Sequence, residues 1–148
     1  MFGSLAVVGV LGDRASEVGL GVAASGQNVA AGQAFIAEFV GTFILVLTVL
    51  LVIHRAAAPG FAGVVIGRVV FAAIIPVAPT TGASINPART SGPRVVHHLW
   101  GADVSWHQAP VYLDAEFLAA AALAAYALTR LTRVDAVHAD RVAVETTV

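Results

Sequence analysis

Charged side chains are scarce in this sequence: only 11% of its 148 residues are Asp, Glu, Lys or Arg, and lysine does not occur at all. Soluble domains typically carry about 25% charged residues, so the composition argues against a soluble fold. The formal net charge of −1 leaves no basic surface for nucleic acid. Cysteine is also absent, which excludes disulfide frameworks, thiolate zinc sites and cysteine nucleophiles.

Hydrophobic residues, in contrast, make up 58% of the chain, and the mean hydropathy is +0.85, as expected of an integral membrane protein. Three apolar stretches are candidates for spanning helices, at residues 33–54, 61–78 and 110–131. The first corresponds to roughly 33 Å of helix, which is enough to cross a hydrocarbon core of about 30 Å. The sequence therefore predicts an all-α membrane protein with three transmembrane helices.

The remaining segments are too short or too polar to span. Residues 1–12 are apolar but few, so we interpret residues 1–32 as the remnant of a preceding helix followed by an outer loop. Residues 33–131 form the membrane module. Residues 132–148 carry mixed charges and are expected to be a frayed or disordered cytoplasmic tail.

The arginines predict the orientation of these spans. Arg55 follows the first span, and Arg130, Arg133 and Arg141 follow the third. Both places lie on one side of the membrane if there are three spans. Because positive charge favours the cytoplasmic side, we assign that side to the cytoplasm.

The polar connection before the third span contains the sequence Asn86-Pro87-Ala88-Arg89. Asparagine is a good N-cap and proline suits the first turn of a helix, so a short helix is predicted over residues 86–99. It is too short to cross the membrane. Starting at the midplane, such a re-entrant half-helix directs the positive end of its dipole there, and Arg89 adds a fixed positive charge. This field repels protons and cations and leaves neutral solutes alone.

The run before the motif, residues 80–85, is expected to be extended. Irregular backbone at membrane depth must line a water-filled cavity or be held by protein. The carbonyl groups of Gly82, Ala83 and Ser84 would then line a pore and accept hydrogen bonds from passing hydroxyls. Glu38 lies roughly 8 Å below the outer surface, at the depth of this run. Either its carboxylate accepts backbone N–H groups of the run, or it is a protonated, passive acid.

The stretch TTGASINPARTSGP, with spans on both sides, resembles the second signature loop of the aquaporin and glycerol-facilitator family, the major intrinsic proteins. AEFVGTFILV resembles the family's fourth helix, including its glutamate, here Glu38, which in the family holds the loop. The resemblance covers residues 30–130. It implies a multi-pass channel in the cell membrane for water or small neutral solutes such as glycerol, with no enzymatic activity, no cofactor and no metal. The family's homotetramer is the expected assembly.

The resemblance also suggests a selectivity filter. Three positions of the family's outer filter fall on Ile74, Ala83 and Arg89. Strict water channels have a histidine where Ile74 stands, and glycerol facilitators have an aspartate where Thr90 stands, whereas Tyr112 resembles the aromatic residue of water channels. These signals conflict and leave the choice between water and glycerol open.

The family's pore is built from two inverted repeats, each with one NPA turn. Apart from Asn86 this sequence has a single asparagine, Asn28, so no first signature loop is present. We therefore interpret the chain as the C-terminal half of a channel: a fragment, a split gene or a mis-started gene model. The favoured function is a half-module that conducts together with a separate first-repeat half. The alternative is a non-conducting truncated fragment.

Two further groups of polar residues have simpler interpretations. Asp114 and Glu116 are two residues apart and point to opposite sides of a helix, so they cannot form an acid/base dyad. They lie near the outer end of the third span, where we expect both to be solvated at the interface. The histidines of the polar connection are not expected to bind a metal; they are His97, His98 and His107.

Overall fold

The structure of the chain is a computed structural model that describes residues 2–54 and 60–145, with side chains described for 2–53 and 60–129. Within these ranges the chain is helical and contains no strand, so the predicted all-α class is confirmed. The helices are α1 (Phe2–Leu11), α2 (Arg14–Glu17), α3 (Ala31–His54), α4 (Ala62–Thr81), α5 (Pro87–Leu99) and α6 (Ala109–Glu145). Short 3-10 helices occupy Gly19–Gly21 and Trp106–Gln108.

Three helical segments are long and apolar enough to cross a membrane: Ala31–Ile53, Ala62–Thr81 and Trp106–Thr129. They correspond to the three predicted spans, with ends that differ by a few residues. The half-helix α5 has 13 residues, or roughly 20 Å, and is too short to cross. Arg55, on which part of the predicted orientation rests, lies outside the described residues, so the orientation stays a prediction.

The end of α4 differs from the prediction. The helix continues through Pro76 and Pro79 to Thr81, so the extended run does not begin at residue 80. The helix is capped by Gly82, which has a left-handed φ of 76° and donates its N–H to the carbonyl of Ala78. A glycine in this conformation is a common helix stop. Glycine, not proline, therefore ends the second span.

The C-terminal tail also differs from the prediction. α6 continues to Glu145 without a break, so the expectation of a frayed tail is wrong for residues 132–145. The sequence after the third span contains neither glycine nor proline that could stop the helix. Residues 146–148 of the predicted tail lie outside the described residues.

Helix α3 is the centre of the bundle, since it packs along both α4 and α6, while α5 packs against α6 and α1. Many of the apolar residues buried between these helices are small; they include Ala34, Gly41, Ala73, Ala115 and Ala119. Small residues let helix backbones approach closely in membrane proteins. Large apolar side chains such as Phe71, Ile75 and Phe117 are exposed instead, as expected for surfaces that face lipid.

Neighbouring side chains pack most closely against a glycine at Gly41, and a substitution there tests the packing. A methyl group added there would lie 2.7 Å from Cγ2 of Ile85 and 3.4 Å from Cγ2 of Val77. We expect Gly41→Ala to destabilise the protein by about 1–3 kcal/mol, because overpacking forces side chains or backbone to shift. Thermal unfolding in detergent measures this. Gly67→Ala on α4 is the matched control, since no atom lies within 4 Å of its added methyl. A Gly41→Ala protein that melts with the parent would contradict the packing.

Candidate functional site

The site is organised around residues 82–85, the first four of the five non-helical residues between α4 and α5. Three of them have left-handed backbones: φ is 76° at Gly82, 48° at Ala83 and 46° at Ile85. This region is unfavourable for residues with a Cβ and most of all for β-branched ones such as isoleucine. Such a conformation persists only when surrounding contacts fix it.

Glu38 of α3 supplies most of these contacts. Its Oε1 accepts the Ser84 N–H at 2.9 Å and its Oε2 accepts the Ile85 N–H at 2.6 Å. The Thr81 hydroxyl also donates to Oε1 and in turn accepts the Ala83 N–H at 3.2 Å. The carboxylate is fully buried. Backbone amides hydrogen-bonded to a buried carboxylate are among the stronger contacts in a protein.

A second carboxylate, Glu116 of α6, holds the next residue. Its Oε1 accepts the Asn86 N–H at 3.0 Å and the Thr90 hydroxyl at 2.7 Å, and Thr90 also hydrogen-bonds the Ser84 hydroxyl. Glu116 is 1% exposed, so the expectation that it is solvated at the interface is wrong. Its helical neighbours could have indicated burial, because Tyr112 precedes it by one turn and both are buried on the face of α6 that meets α5.

The carbonyl groups of the run behave differently from the amides. In the described part of the chain, no hydrogen bond reaches the carbonyls of Ala83, Ser84 or Ile85, whereas the Gly82 carbonyl accepts Nη2 of Arg89 at 3.3 Å. All four amides from Ala83 to Asn86 are thus bound to side chains, and three carbonyls remain available. The predicted role of the Gly82, Ala83 and Ser84 carbonyls in lining a pore stays a prediction.

The half-helix α5 begins with a side-chain cap. Asn86 has an extended backbone, with φ of −161°, and its Oδ1 accepts the N–H groups of Ala88 at 2.8 Å and Arg89 at 3.4 Å. Pro87 occupies the first helical position, where no N–H is needed. Because Oδ1 faces its own helix, the side-chain NH2 of Asn86 points away, and it has no hydrogen-bond partner among the described residues.

Arg89 is exposed and binds two carbonyl groups. Nη1 donates to Gly21 at 3.0 Å and Nη2 to Gly82 at 3.3 Å. No carboxylate lies within ion-pair distance of its guanidinium in the described ranges, so its charge is not neutralised by direct contact. The other two predicted filter residues differ in exposure: Ala83 is 3% exposed and Ile74 is 39% exposed.

Residues 21–25, which the sequence placed in an outer loop, pack against this site. Arg94 of α5 donates to the Ala23 carbonyl at 2.7 Å, and Gln108 accepts the Ser25 N–H at 3.0 Å. These contacts join residues 71 and 83 positions apart in the sequence. No local pattern in the sequence indicates them. A cavity of about 480 Å³ lies beside this segment; Ser25, Gln27, His107, Gln108 and Tyr112 are among its lining residues.

Comparisons with known proteins agree with this architecture. The model of the major intrinsic protein family matches residues 1–129. The chain therefore belongs to the major intrinsic protein family, and the family predicted from its sequence is confirmed. The match begins at residue 1 and so includes α1 and segment 21–25, which lie outside the residues 30–130 of the sequence-based resemblance.

Several curated proteins are similar to this chain. The probable aquaporin AqpM of Archaeoglobus fulgidus is 39% identical over 124 residues, which are 82% of this chain and 50% of the relative. Aquaporin AqpM of Methanothermobacter marburgensis is 36% identical over 114 residues, 76% of this chain and 46% of the relative. Glycerol uptake facilitator protein 3 of Lactiplantibacillus plantarum is 40% identical over 63 residues, 43% of this chain and 26% of the relative. The chain spans about half the length of the archaeal relatives it matches.

The contacts of Glu38 generate a stability prediction. Glu38→Gln keeps the side-chain shape but replaces one acceptor oxygen with an NH2 group, which faces a backbone N–H or the Thr81 hydroxyl. We expect a loss of about 1.5–3 kcal/mol, since a hydrogen bond to a charged group is lost in a buried place. Thermal unfolding in detergent measures the loss.

The control for this measurement is Thr48→Val on the same helix, whose hydroxyl bonds only the carbonyl of Ile44 one turn earlier. This variant should melt close to the parent. Coincident melting curves of the Glu38→Gln variant and the parent would mean that the carboxylate does not hold the run.

Proposed function

We propose that this chain forms half of a channel for passive passage of water or small neutral solutes such as glycerol, through an NPA-type pore. The observation that carries the proposal is the asymmetry of residues 83–85: their amides are bound by the buried side chains of Thr81 and Glu38, and their carbonyls are left as acceptors. A row of fixed acceptors suits molecules that carry hydroxyl hydrogens. Family membership and the names of the relatives, aquaporins and a glycerol uptake facilitator, support the same function.

The half-helix supplies the complementary donors. Its N-terminus places the positive end of the helix dipole at the NPA motif, and the free NH2 group of Asn86 can donate to a passing oxygen. A neutral solute thus exchanges its hydrogen bonds with water for bonds to carbonyls on one side and to Asn86 on the other. A cation or proton meets the helix dipole and the charge of Arg89, which oppose its passage.

The selectivity filter in this proposal consists of Ile74, Ala83 and Arg89, and the pore is lined by the carbonyls named above together with Asn86, Pro87 and Ala88. Glu38 holds the lining in place and does not contact the solute. Nothing in this arrangement calls for a cofactor or metal, and we expect no enzymatic activity. Water and glycerol are distinguished by the flux measurements below.

The proposed assembly places the three spans in the cell membrane, with the ends of α3 and α6 in the cytoplasm and a homotetramer as the oligomer. A first-repeat half, carrying the second half-helix, completes each pore. Because the described chain contributes only one half-helix, the free carbonyls of the run lack an opposite wall. Unsatisfied polar backbone at this depth costs several kcal/mol per group, so completion of the pore is favourable.

Flux into liposomes tests the proposal. We expect the purified chain alone to raise water and glycerol permeability no more than empty vesicles, and co-reconstitution with a first-repeat polypeptide to produce flux measured by stopped-flow light scattering. Asn86→Asp should abolish this flux, because aspartate keeps the helix cap but replaces the NH2 donor with a carboxylate. Asn28→Asp is the matched control, since Asn28 lies in the exposed loop before α3. A completed assembly without Asn86-dependent flux would contradict the channel.

The role of Arg89 generates a separate prediction. In the completed pore, Arg89→Val should admit urea and larger polyols and weaken the exclusion of monovalent cations, because the mutation removes the exposed positive charge beside Gly21 and Gly82. Parallel assays with glycerol, urea and sodium measure the change in selectivity. Arg14→Val, at an exposed position of α2, should leave selectivity unchanged. Equal selectivity of the Arg89→Val variant and the parent for all three solutes would contradict the filter assignment.

A further inference from the structure

Residues 21–25 begin at the last residue of the 3-10 helix Gly19–Gly21 and run past α5, and the carbonyls of alternate residues are each bound by a side chain of the site. Gly21 accepts Nη1 of Arg89 at 3.0 Å, and Ala23 accepts Nη2 of Arg94 at 2.7 Å. Ser25 is held on both sides by Gln108, which accepts its N–H at 3.0 Å and donates to its carbonyl at 3.5 Å. The carbonyls of Gly21, Ala23 and Ser25 therefore all face side chains of the site, one from each of Arg89, Arg94 and Gln108.

Arg94 is an unusual residue to hold such a segment, because its guanidinium is fully buried. It donates to the carbonyls of Thr90 and Ala23 at 2.7 Å each and lies 4.8 Å above the ring of Tyr112. No carboxylate is within ion-pair distance of it in the described part of the chain; Glu116 and Glu38 act on it at longer range. A buried charge without a direct counter-ion is costly. The presence of Arg94 at this buried position therefore indicates that it makes a specific structural contact.

Helix α5 has anchors other than Arg94. Thr90 and Asn86 already connect α5 to α6 through Glu116. What Arg94 adds is its contact with segment 21–25, through the carbonyl of Ala23. The planar guanidinium suits this task, since its fork binds two carbonyls while its face stacks on an aromatic ring.

Ala23 lies next to both acceptors of Arg89. Gly21, whose carbonyl binds Nη1, is two residues earlier in the segment. Gly82, whose carbonyl binds Nη2, packs directly on Ala23: a methyl group added to Gly82 would lie 3.2 Å from the Cα of Ala23. A displacement of Ala23 therefore moves one acceptor and releases the packing against the other.

We propose that Arg94 is the positioning residue of Arg89: by fixing Ala23 it sets the places of the Gly21 and Gly82 carbonyls, and these in turn set the place of the Arg89 guanidinium. Gln108 fixes the far end of the same segment at Ser25. This inference rests on the proposed function only in making Arg89 a filter residue. The contacts that carry it are independent of conduction.

The absence of cysteine from the sequence makes a clean reporter possible. A nitroxide label on Ala24→Cys, an exposed position, reports the motion of segment 21–25 in detergent. The guanidinium signals of Arg89 in a 15N-arginine sample, assigned by their disappearance in Arg89→Gln, report the second step. In the parent we expect an immobilised label and resolved Arg89 signals.

Arg94→Gln is expected to abolish the immobilised component of the label and to collapse the Arg89 signals to those of a freely rotating guanidinium. Gln108→Ala is a milder change near the surface and should also increase the mobility of the label. It provides the test of the segment if Arg94→Gln does not fold. Arg68→Gln, at an exposed position of α4, is the control and should change neither reporter.

The outcomes separate the steps of the inference. An immobilised label in a folded Arg94→Gln protein, or in Gln108→Ala where the first variant does not fold, would overturn it, and so would a mobile label with unchanged Arg89 signals. In completed pores, Arg94→Gln should also shift the ratio of glycerol to water permeability although Arg89 is present. If no assembly conducts, the proposed function fails, while the two spectroscopic reporters still decide the positioning.

Discussion

The structure depends on the binding of four consecutive backbone amides by side chains. The amides of Ala83, Ser84, Ile85 and Asn86 lie where no helix can satisfy them, and in a membrane each unsatisfied group would cost several kcal/mol. Left-handed backbone at non-glycine residues costs about 1–3 kcal/mol each. Hydrogen bonds to charged groups contribute about 1.5–3 kcal/mol each, which is similar in size to the cost of each left-handed residue. The run therefore adopts its unusual shape only while the two carboxylates bind it.

The charged residues of the site divide into two sets with different tasks. Glu38, Glu116 and Arg94 are fully or almost fully buried, and each binds backbone: the first two bind amides and the third binds carbonyls. Arg89 is the one exposed charge of this group. The buried charges come from three different helices: Glu38 from α3, Arg94 from α5 and Glu116 from α6. The attraction of the two carboxylates for Arg94 at longer range offsets part of the cost of burying its charge.

The sequence was most informative where the chemistry is local. Asn86 and Pro87 predict the start of α5 because a cap and a first-turn proline act within one turn, and Glu38 was singled out because a carboxylate within an apolar span needs a reason. Glu116 was misinterpreted because its surroundings depend on which face of α6 meets α5. The contacts of segment 21–25 with the site were not predicted, because its partners Arg89, Arg94 and Gln108 are distant in sequence. The second span was predicted to end at residue 78 and the extended run to begin at residue 80, whereas α4 continues to Thr81 and stops at the left-handed Gly82.

The hydrogen bond between Asn86 and Glu116 has a consequence for biosynthesis, because its two partners are separated by 30 residues and the acceptor is synthesised last. Glu38 is already present when the ribosome reaches the run, but Glu116 is not. At about 5–20 residues per second, translation of the intervening stretch takes on the order of a few seconds. During that time Glu38 can bind the run, but the amide of Asn86 and the hydroxyl of Thr90 lack their acceptor. Residues 82–86 thus acquire their last carboxylate contact only when the third span is in place. The order of membrane insertion therefore determines when the NPA motif reaches its final shape.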